Sequence, residues 1–349
     1  MRVLVATVKV PFIRGGAEAH AAGLLRALEA HGCEADIVEI PFKHYPPERI
    51  LDHILACRFL DLSEAFGNAI DRLIGLKFPA YVVPHPHKVL WIIHQHRPAY
   101  DLWSHPQAGD LQYAPNGSYI RDAIRRADRK FIREARAIFA NSRNVAARLK
   151  DGCGIDAEPL YHPPPGAGSF YCAEAHNYIL FPSRINLLKR QKLAVEALAL
   201  THEPVRIRFI GAADSPDLES ECIQLASQLG VAKRIDWMGA VSEADKFESY
   251  AHALAVLFPP FDEDYGYVTL EAMLSGKPLI TCADSGGPLE FVIHGDTGLV
   301  ADPSPEALAA AMDELWGDRA RAARMGAAAR DRYAALDISW DRVVDRLLA

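Results

Sequence analysis

The chain has 349 residues, 50% of them hydrophobic and 24% charged, the balance of a soluble globular protein with length for roughly two domains of about 150 residues each. Its net charge of −7 argues against binding nucleic acid with the whole surface, and no apolar run approaches the roughly 18 residues of a membrane-crossing helix. Six cysteines are scattered without a Cys-x-x-Cys spacing, which favours free thiols in a reducing cytoplasm over a disulfide frame or a zinc site.

The N-terminal ten residues are too interrupted for a signal peptide and read as a first strand, Val3 to Val8. Gly15-Gly16-Ala-Glu18 follows and opens a helix from Ala17 to Ala30. Glycines there let backbone approach a phosphate or sugar closely, beside free helix N–H groups, although a tight turn alone would also use them. Glu18 fits a first-turn charge better than a catalyst. Further strands are expected at Asp36 to Ile40, Tyr81 to Val83, Val89 to Ile93 and Ala137 to Ala140, with a helix from Ile120 to Glu134. Strands alternating with helices mean a parallel sheet with crossover helices.

His94 ends the 89–93 strand, where ligands meet an open α/β sheet; a core histidine satisfied by backbone is the plain alternative. His96 and Arg97 are the next candidates for substrate contact. His85, His87, His94 and His96 form two His-x-His pairs, but no nearby Cys or carboxylate completes a tetrahedral set, so no metal is expected. In the 120–134 helix, Arg121, Arg125, Arg129 and Arg133 recur at i+4 steps over an apolar side. Such a stripe suits peripheral contact with an anionic membrane surface, or a solvated face partnered by Asp122, Asp128 and Glu134.

Tyr161-His-Pro-Pro-Pro-Gly-Ala-Gly-Ser169 holds three prolines and two glycines, which cannot continue a helix or a central strand; it opens an interdomain linker. Beyond it the alternation restarts. Strands are expected at Tyr178 to Pro182, Val205 to Ile210, Arg234 to Trp237, Ala253 to Phe258 and Pro278 to Cys282. Helices are expected at Gln191 to Leu200, Leu218 to Leu229, Ala244 to Ala251, around Leu270 to Leu274, from Leu289 and at Trp340 to Leu348. Two such domains put a ligand cleft at their interface.

Arg184 and Lys189 lie just past the first strand of the second half. An Arg grips a diphosphate bidentately and a Lys adds a point charge, while positive charge near a helix start is otherwise unfavourable. Arg190 is read as a solvated cation. In Glu263-Asp-Tyr-Gly-Tyr-Val-Thr-Leu-Glu271 one carboxylate precedes a helix and one lies within it. Carboxylates accept hydrogen bonds from hydroxyls, and helix N–H groups donate them to phosphate. Glu271 adjoins Leu270 and Ala272, a poor fit to a solvated face. Ser285-Gly286-Gly287-Pro288, before the helix from Leu289, offers further amides to a ligand. The Asp262-Glu-Asp264 run is taken as coincidence, not a metal motif.

Glu263-x7-Glu271, with Tyr265-Gly266 inside it, Glu271-Ala-Met273 at its end and Gly276-Lys-Pro278 downstream, resembles the signature of retaining GT-B glycosyltransferases of family 4. Asp264 stands where Gly is common and Tyr265 where Phe is common. The resemblance covers essentially the whole chain, and Arg184 and Lys189 match the family's Arg-x4-Lys pair. It implies an α/β fold of GT-B architecture, two Rossmann-like domains with an interdomain cleft. These are residues 1–160 on the acceptor side, a linker at 161–175, a nucleotide-sugar-binding domain at 176–335, and a C-terminal helix within 336–349 that packs back on the first.

By the same resemblance, the chain moves a hexose-type sugar from a UDP- or GDP-linked donor to a hydroxyl acceptor in polysaccharide or glycoconjugate biosynthesis, retaining anomeric configuration. It would be a metal-independent cytoplasmic enzyme with no cofactor. His94, Glu263, Arg184 and Lys189 would serve catalysis; Gly15, Gly16, Arg184, Lys189, Gly266, Tyr267 and Glu271 would bind the donor. Glu271 would take the ribose hydroxyls, Glu263 those of the transferred sugar, and backbone near Trp237 to Val241 the base. A sugar-nucleotide epimerase and a non-catalytic nucleotide-sugar-binding protein are the rival readings, since fold does not fix function.

Overall fold

The computed structural model describes residues 1–12 and 15–349. Two units emerge: Met1–Pro165 with Ser339–Ala349, and Gly166–Ile338. The first comprises β1 (Arg2–Lys9), α1 (Gly16–Ala30), β2 (Glu34–Pro41), α2 (Arg49–Phe59), a small hairpin of β3 (Glu64–Ala65) and β4 (Asn68–Ala69), β5 (Arg72–Lys77), β6 (Lys88–His94), α3 (Asp110–Tyr113), α4 (Gly117–Phe131), β7 (Ala137–Ala140), α5 (Arg143–Cys153) and β8 (Glu158–Pro159). Its main sheet is parallel, in the order β2-β1-β5-β6-β7-β8.

The second comprises β9 (Ile179–Pro182), α6 (Gln191–Leu200), β10 (Ile207–Ile210), α7 (Pro216–Gln228), β11 (Ile235–Trp237), α8 (Glu243–Ala251), β12 (Ala255–Leu257), α9 (Tyr267–Leu274), β13 (Leu279–Cys282), β14 (Gly298–Ala301), α10 (Pro305–Gly317) and α11 (Arg319–Ala335). Its sheet is parallel too, in the order β11-β10-β9-β12-β13-β14. Counted within the unit this is 3-2-1-4-5-6, the dinucleotide-binding order. Strands such as Ile179-Leu-Phe-Pro182 and Ala255-Val-Leu257 are wholly buried, as continuous apolar runs must be when helices cover both faces of a parallel sheet.

The C-terminal α12 (Trp340–Leu348) belongs to the first unit. Val343, Val344 and Leu347 join Leu24 and Leu28 of α1 in one buried cluster. Arg72 ties the helix end down, donating to the carbonyls of Leu347 at 2.7 Å and Leu348 at 3.1 Å. Among the described residues, no helix is long and apolar enough to cross a membrane.

Three expectations need correction. Tyr81 to Val83 is not a strand: Ala80–Val82 is a 3-10 turn, and the strand lies earlier, at β5. At Gly75, in mid-strand, a Cβ would lie 2.8 Å from Leu90 Cδ2 and 2.9 Å from Tyr81 Cα. The glycine lets the turn lie directly on the strand. The helix expected from Leu289 is only a 3-10 turn, Gly287–Glu290. The 161–175 stretch is divided between the units: His162 is buried in the first, while Phe170 joins a core cluster of the second. Prolines exclude regular elements there without excluding burial.

The first unit also buries imidazoles. His20 rests on Trp91 with centroids 4.0 Å apart and meets His162 at 4.2 Å. Burial lowers His20 to a pKa of about 3, lowers His96 to about 3, and lowers His162 as well. The unfolded imidazoles take up protons below about pH 6.5, so unfolding binds protons in that range and stability falls as pH falls. Buried Asp128, raised to about 7, opposes this between its unfolded pKa of about 3.9 and 7. Three imidazoles against one carboxyl leave acid destabilisation ahead. Urea unfolding between pH 7 and 4.5 is expected to show this loss, with a slope reduced by up to about 1.4 kcal/mol per pH unit in His20→Phe. An unchanged slope would mean that His20 is protonated in the fold.

Candidate functional site

In the second unit the chain moves outward from β9 to β10 and β11, then returns to β12 on the other side of β9. Crossover loops beyond β9 and β12 therefore diverge and leave a crevice, where ligands bind in doubly wound sheets. Arg184 and Lys189 follow β9; Glu263 and Gly266 follow β12.

Arg184 is half exposed and pairs with Asp214 at 2.5 Å. The Asn186 amide also donates to Asp214 at 2.5 Å, while its oxygen accepts from Leu188 N at 2.9 Å. That cap shapes the 3-10 turn Leu187–Lys189, which ends in Lys189. The ammonium of Lys189 forms an ion pair with Glu263 and lies 5.3 Å from the Phe258 ring centroid. Their side chains are only 21% and 20% exposed, so each charge needs the other. The first glutamate of the Glu263-x7-Glu271 spacing thus meets the lysine of the Arg-x4-Lys pair.

Arg190 is not a solvated cation. Its guanidinium forks onto Asp284 at 2.8 and 2.6 Å, a geometry that arginine alone among the cations supplies. Gly266 turns the chain into α9 at a φ of +80°, which a side chain rarely adopts. A Cβ there would also press on Pro288 Cγ at 3.2 Å. Tyr267 opens the helix, and burial together with the Glu271 charge pushes its phenol pKa up.

Glu271 is 4% exposed. It accepts hydrogen bonds from Tyr250 Oη at 2.6 Å and from the Lys246 ammonium at 2.5 Å, both on α8. A carboxylate has about four lone-pair acceptor sites, which leaves room for further hydroxyls. The amides after β13 are partly committed: Gly287 N donates to Glu263 O at 2.8 Å and Ser285 N to Cys282 O at 3.0 Å.

Gly15, Gly16 and His94 belong to the first unit. Gly15 precedes α1 and donates its N–H to Glu18 Oε2 at 2.8 Å, so Glu18 caps the helix. His94 closes β6, its Nδ1 2.7 Å from Gln95 O. His96, kept neutral by burial, packs on Phe78, and Arg97 is paired with Asp101 at 2.7 Å. Much of the arginine stripe on α4 is engaged internally. Arg121 covers Trp103 and donates to Ala99 O, Arg125 donates to Gly152 O, and Arg133 donates to Cys153 O and Gly154 O. Among the described residues no group of three or more His, Cys, Asp or Glu is arranged to hold a metal ion.

Asp214, Asp284, Lys246 and Tyr250 were not foreseen. The two aspartates carry a readable signal, an acid shortly after a parallel strand. Lys246 and Tyr250 stand at i and i+4 on one helix face, but nothing in their spacing names Glu271 as their partner.

The burial of Glu271 has a measurable consequence. A solvated helix glutamate changes stability by within about 0.5 kcal/mol when replaced. Here Glu271→Ala leaves Lys246 and Tyr250 without their acceptor, at a cost of about 2–3 kcal/mol in urea unfolding of the ligand-free protein. A change within about 0.5 kcal/mol would return Glu271 to the surface.

Residues 172–332 match the family model described as glycosyl transferases group 1. A D-inositol 3-phosphate glycosyltransferase of Nocardia farcinica is 29% identical over 243 residues, 63% of this chain and 53% of that protein. The D-rhamnosyltransferase WbpZ of Pseudomonas aeruginosa is 33% identical over 159 residues, 45% of this chain and 40% of that protein. At 53% for the first of these, the chain spans about half the length of the curated relatives it matches. Among solved structures, sucrose-phosphate synthase from Thermosynechococcus elongatus aligns with a TM-score of 0.75 at 17% identity, over 99% of this chain and 97% of its own. Anabaena Alr3699/HepE in complex with UDP and glucose aligns with a TM-score of 0.72 at 18% identity, over 100% and 99%. At such identities the likeness is one of fold, the two Rossmann-like units of the GT-B architecture. Over residues 172–332 the chain is similar to the glycosyl transferases group 1, on a backbone of GT-B architecture.

Proposed function

We propose that this protein transfers a hexose-type sugar from a nucleoside diphosphate sugar to a hydroxyl acceptor, retaining anomeric configuration. The observation that carries the reading is the meeting of Lys189 with Glu263 at the strand-order reversal, with Arg184 on the same loop. Two cations at such a crevice suit a diphosphate, and an acid beside them suits sugar hydroxyls. The reading is supported by the glycosyltransferase names of the relatives and by the UDP-glucose complex of Alr3699/HepE. That complex favours a UDP-type donor.

On this reading the bond between the anomeric carbon and the β-phosphate oxygen breaks, and negative charge gathers on the departing diphosphate. Arg184 and Lys189 neutralise it where it develops, the largest kind of electrostatic contribution to catalysis. Lys189 must then exchange Glu263 for phosphate. Released from its ion pair, Glu263 turns to hydroxyls of the transferred sugar, while Glu271 keeps Lys246 and Tyr250 and adds the ribose. The acceptor oxygen bonds to the anomeric carbon on the face that the diphosphate leaves, and a diphosphate oxygen takes the acceptor's proton. His94 would hydrogen-bond the donor sugar, and the Gly15-Gly16 backbone would lie against the phosphates. The charge stabilisation is assigned to side chains, with no metal or cofactor. The setting is proposed as cytoplasmic, in polysaccharide or glycoconjugate synthesis.

Thermal unfolding with UDP, GDP, ADP, CMP and TDP tests the site. A diphosphate at 100 times its dissociation constant adds about 2.7 kcal/mol of stability, and Arg184→Ala should lose most of that gain. Lys189→Ala is expected to stay folded, with some stability lost from the unpaired Glu263, and to lose turnover by about 10²-fold or more; near-normal turnover would sink the phosphate role. NMR of the product should show the donor's anomeric configuration. Inversion, or epimerised nucleotide sugar without transfer, would favour the rival enzymes.

A further inference from the structure

Arg190 takes no part in that chemistry, yet it is the most firmly held cation on its loop. Besides the fork onto Asp284, its guanidinium lies 5.1 Å from the Phe261 ring centroid. Its backbone is left-handed, with a φ of +60°. An ordinary side chain pays roughly 1–2 kcal/mol for that region, and such a conformation persists where surrounding contacts over-determine it. Arg190 also joins two elements, ending the 3-10 turn that carries Lys189 and preceding α6.

Asp284 is as closely tied to Glu263. Asp262 N donates to Asp284 O at 2.8 Å, and Glu263 N donates to Ser285 O at 2.9 Å. On the other side, Phe261 N donates to Leu188 O at 2.7 Å. The loops after β9, β12 and β13 are thus stitched by backbone, and the fork locks the first to the third. Lys189 adjoins one half of that lock, and the Glu263 backbone is bonded to the segment carrying the other.

We propose that Arg190 and Asp284 form a positioning pair that sets the place of the Lys189 ammonium relative to Glu263, and through it the affinity for the donor's diphosphate. The inference rests on the donor site proposed above. The pair itself touches no substrate. A misplacement of about 1 Å in a positioned charge can cost 10²-fold in rate, so a rigid fork beside Lys189 has a direct consequence for the chemistry.

Replacing Asp284 separates positioning from simple charge, because the two predict opposite signs. Asp284→Ala removes a negative charge and frees a cation beside the crevice, so electrostatics alone predicts tighter diphosphate binding. Positioning predicts weaker binding. Calorimetric titration with UDP and GDP is expected to show affinity reduced about tenfold in Asp284→Ala. In the Lys189→Ala background, the same change should cost little more, because the pair acts through Lys189. Arg190→Lys, which keeps the charge and loses the fork, should weaken binding by a smaller factor; it also serves if Asp284→Ala fails to fold. Equal or tighter binding by the variants, with wild-type binding intact, would overturn the pair's role and leave the donor site standing. If neither diphosphate binds wild type, the donor site itself falls and the inference with it.

Discussion

The reversal of strand order at β9 governs the second unit. A parallel sheet sends each strand's outgoing loop to the same edge. When successive strands are added first on one side of β9 and then on the other, the loops at that point part. Side chains on the parted loops face each other across a gap that backbone cannot fill. Charge placed there is partly withdrawn from water, and partly withdrawn charges must be paired or pay for desolvation. The pairs are present: Arg184 with Asp214, Lys189 with Glu263, Arg190 with Asp284. They differ in how readily they can part. Arg184 is half exposed, so water screens it and its separation from Asp214 costs little. Lys189 and Glu263 are about one-fifth exposed, so neither is easily left alone. An incoming anion that takes the lysine while a hydroxyl takes the glutamate satisfies both.

The two glutamates eight residues apart therefore have different physical situations. Glu263 stands in a loop, held by its backbone to Ser285 and Gly287, with its carboxylate in an exchangeable ion pair. Glu271 lies in the second turn of α9, bonded to two groups of α8. Between them Gly266 supplies the left-handed turn that redirects the chain. A substitution at Glu263 is chiefly a question of binding. At Glu271 binding and folding are entangled, because Tyr250 is buried with it and Lys246 partly so.

The fold was legible where apolar runs were long and uninterrupted, as at Val89 to Ile93 and Ala253 to Phe258. It was misread where an apolar run served a turn: Tyr81 to Val83 lies against the strand at Gly75, whose missing side chain makes room for Tyr81. The prolines after Tyr161 excluded helix and strand, but they said nothing about the burial of His162 and Phe170 in opposite units. In the crevice, Arg184, Lys189 and Glu263 drew notice because a cation or acid just past a buried strand stands where loops meet; the structure brings Lys189 and Glu263 together. Arg190 was not, since its partner lies 94 residues away. Pairings of that span follow from the strand order, and the order of parallel strands leaves no local trace in the residues.

The first unit handles polar groups differently, and the contrast bears on what each unit can hold. Where the second unit gathers ion pairs at its strand ends, the first buries neutral groups beside ion pairs such as Arg97–Asp101. Asp128 accepts from Tyr81 at 3.0 Å and Tyr100 at 2.7 Å, and burial keeps it a weak acid near neutrality. His96 stays uncharged, and the Gln95 amide beside it donates to Cys153 Sγ at 3.1 Å. At the end of β6, Gln95 is therefore held by its hydrogen bond to Cys153 and His96 by packing on Phe78. A hydroxyl is recognised by neutral donors and acceptors, and a diphosphate by cations. On the proposed reading the cations of the second unit's strand-end loops, Arg184 and Lys189, suit the diphosphate, and neutral groups such as those at the end of β6 suit hydroxyls.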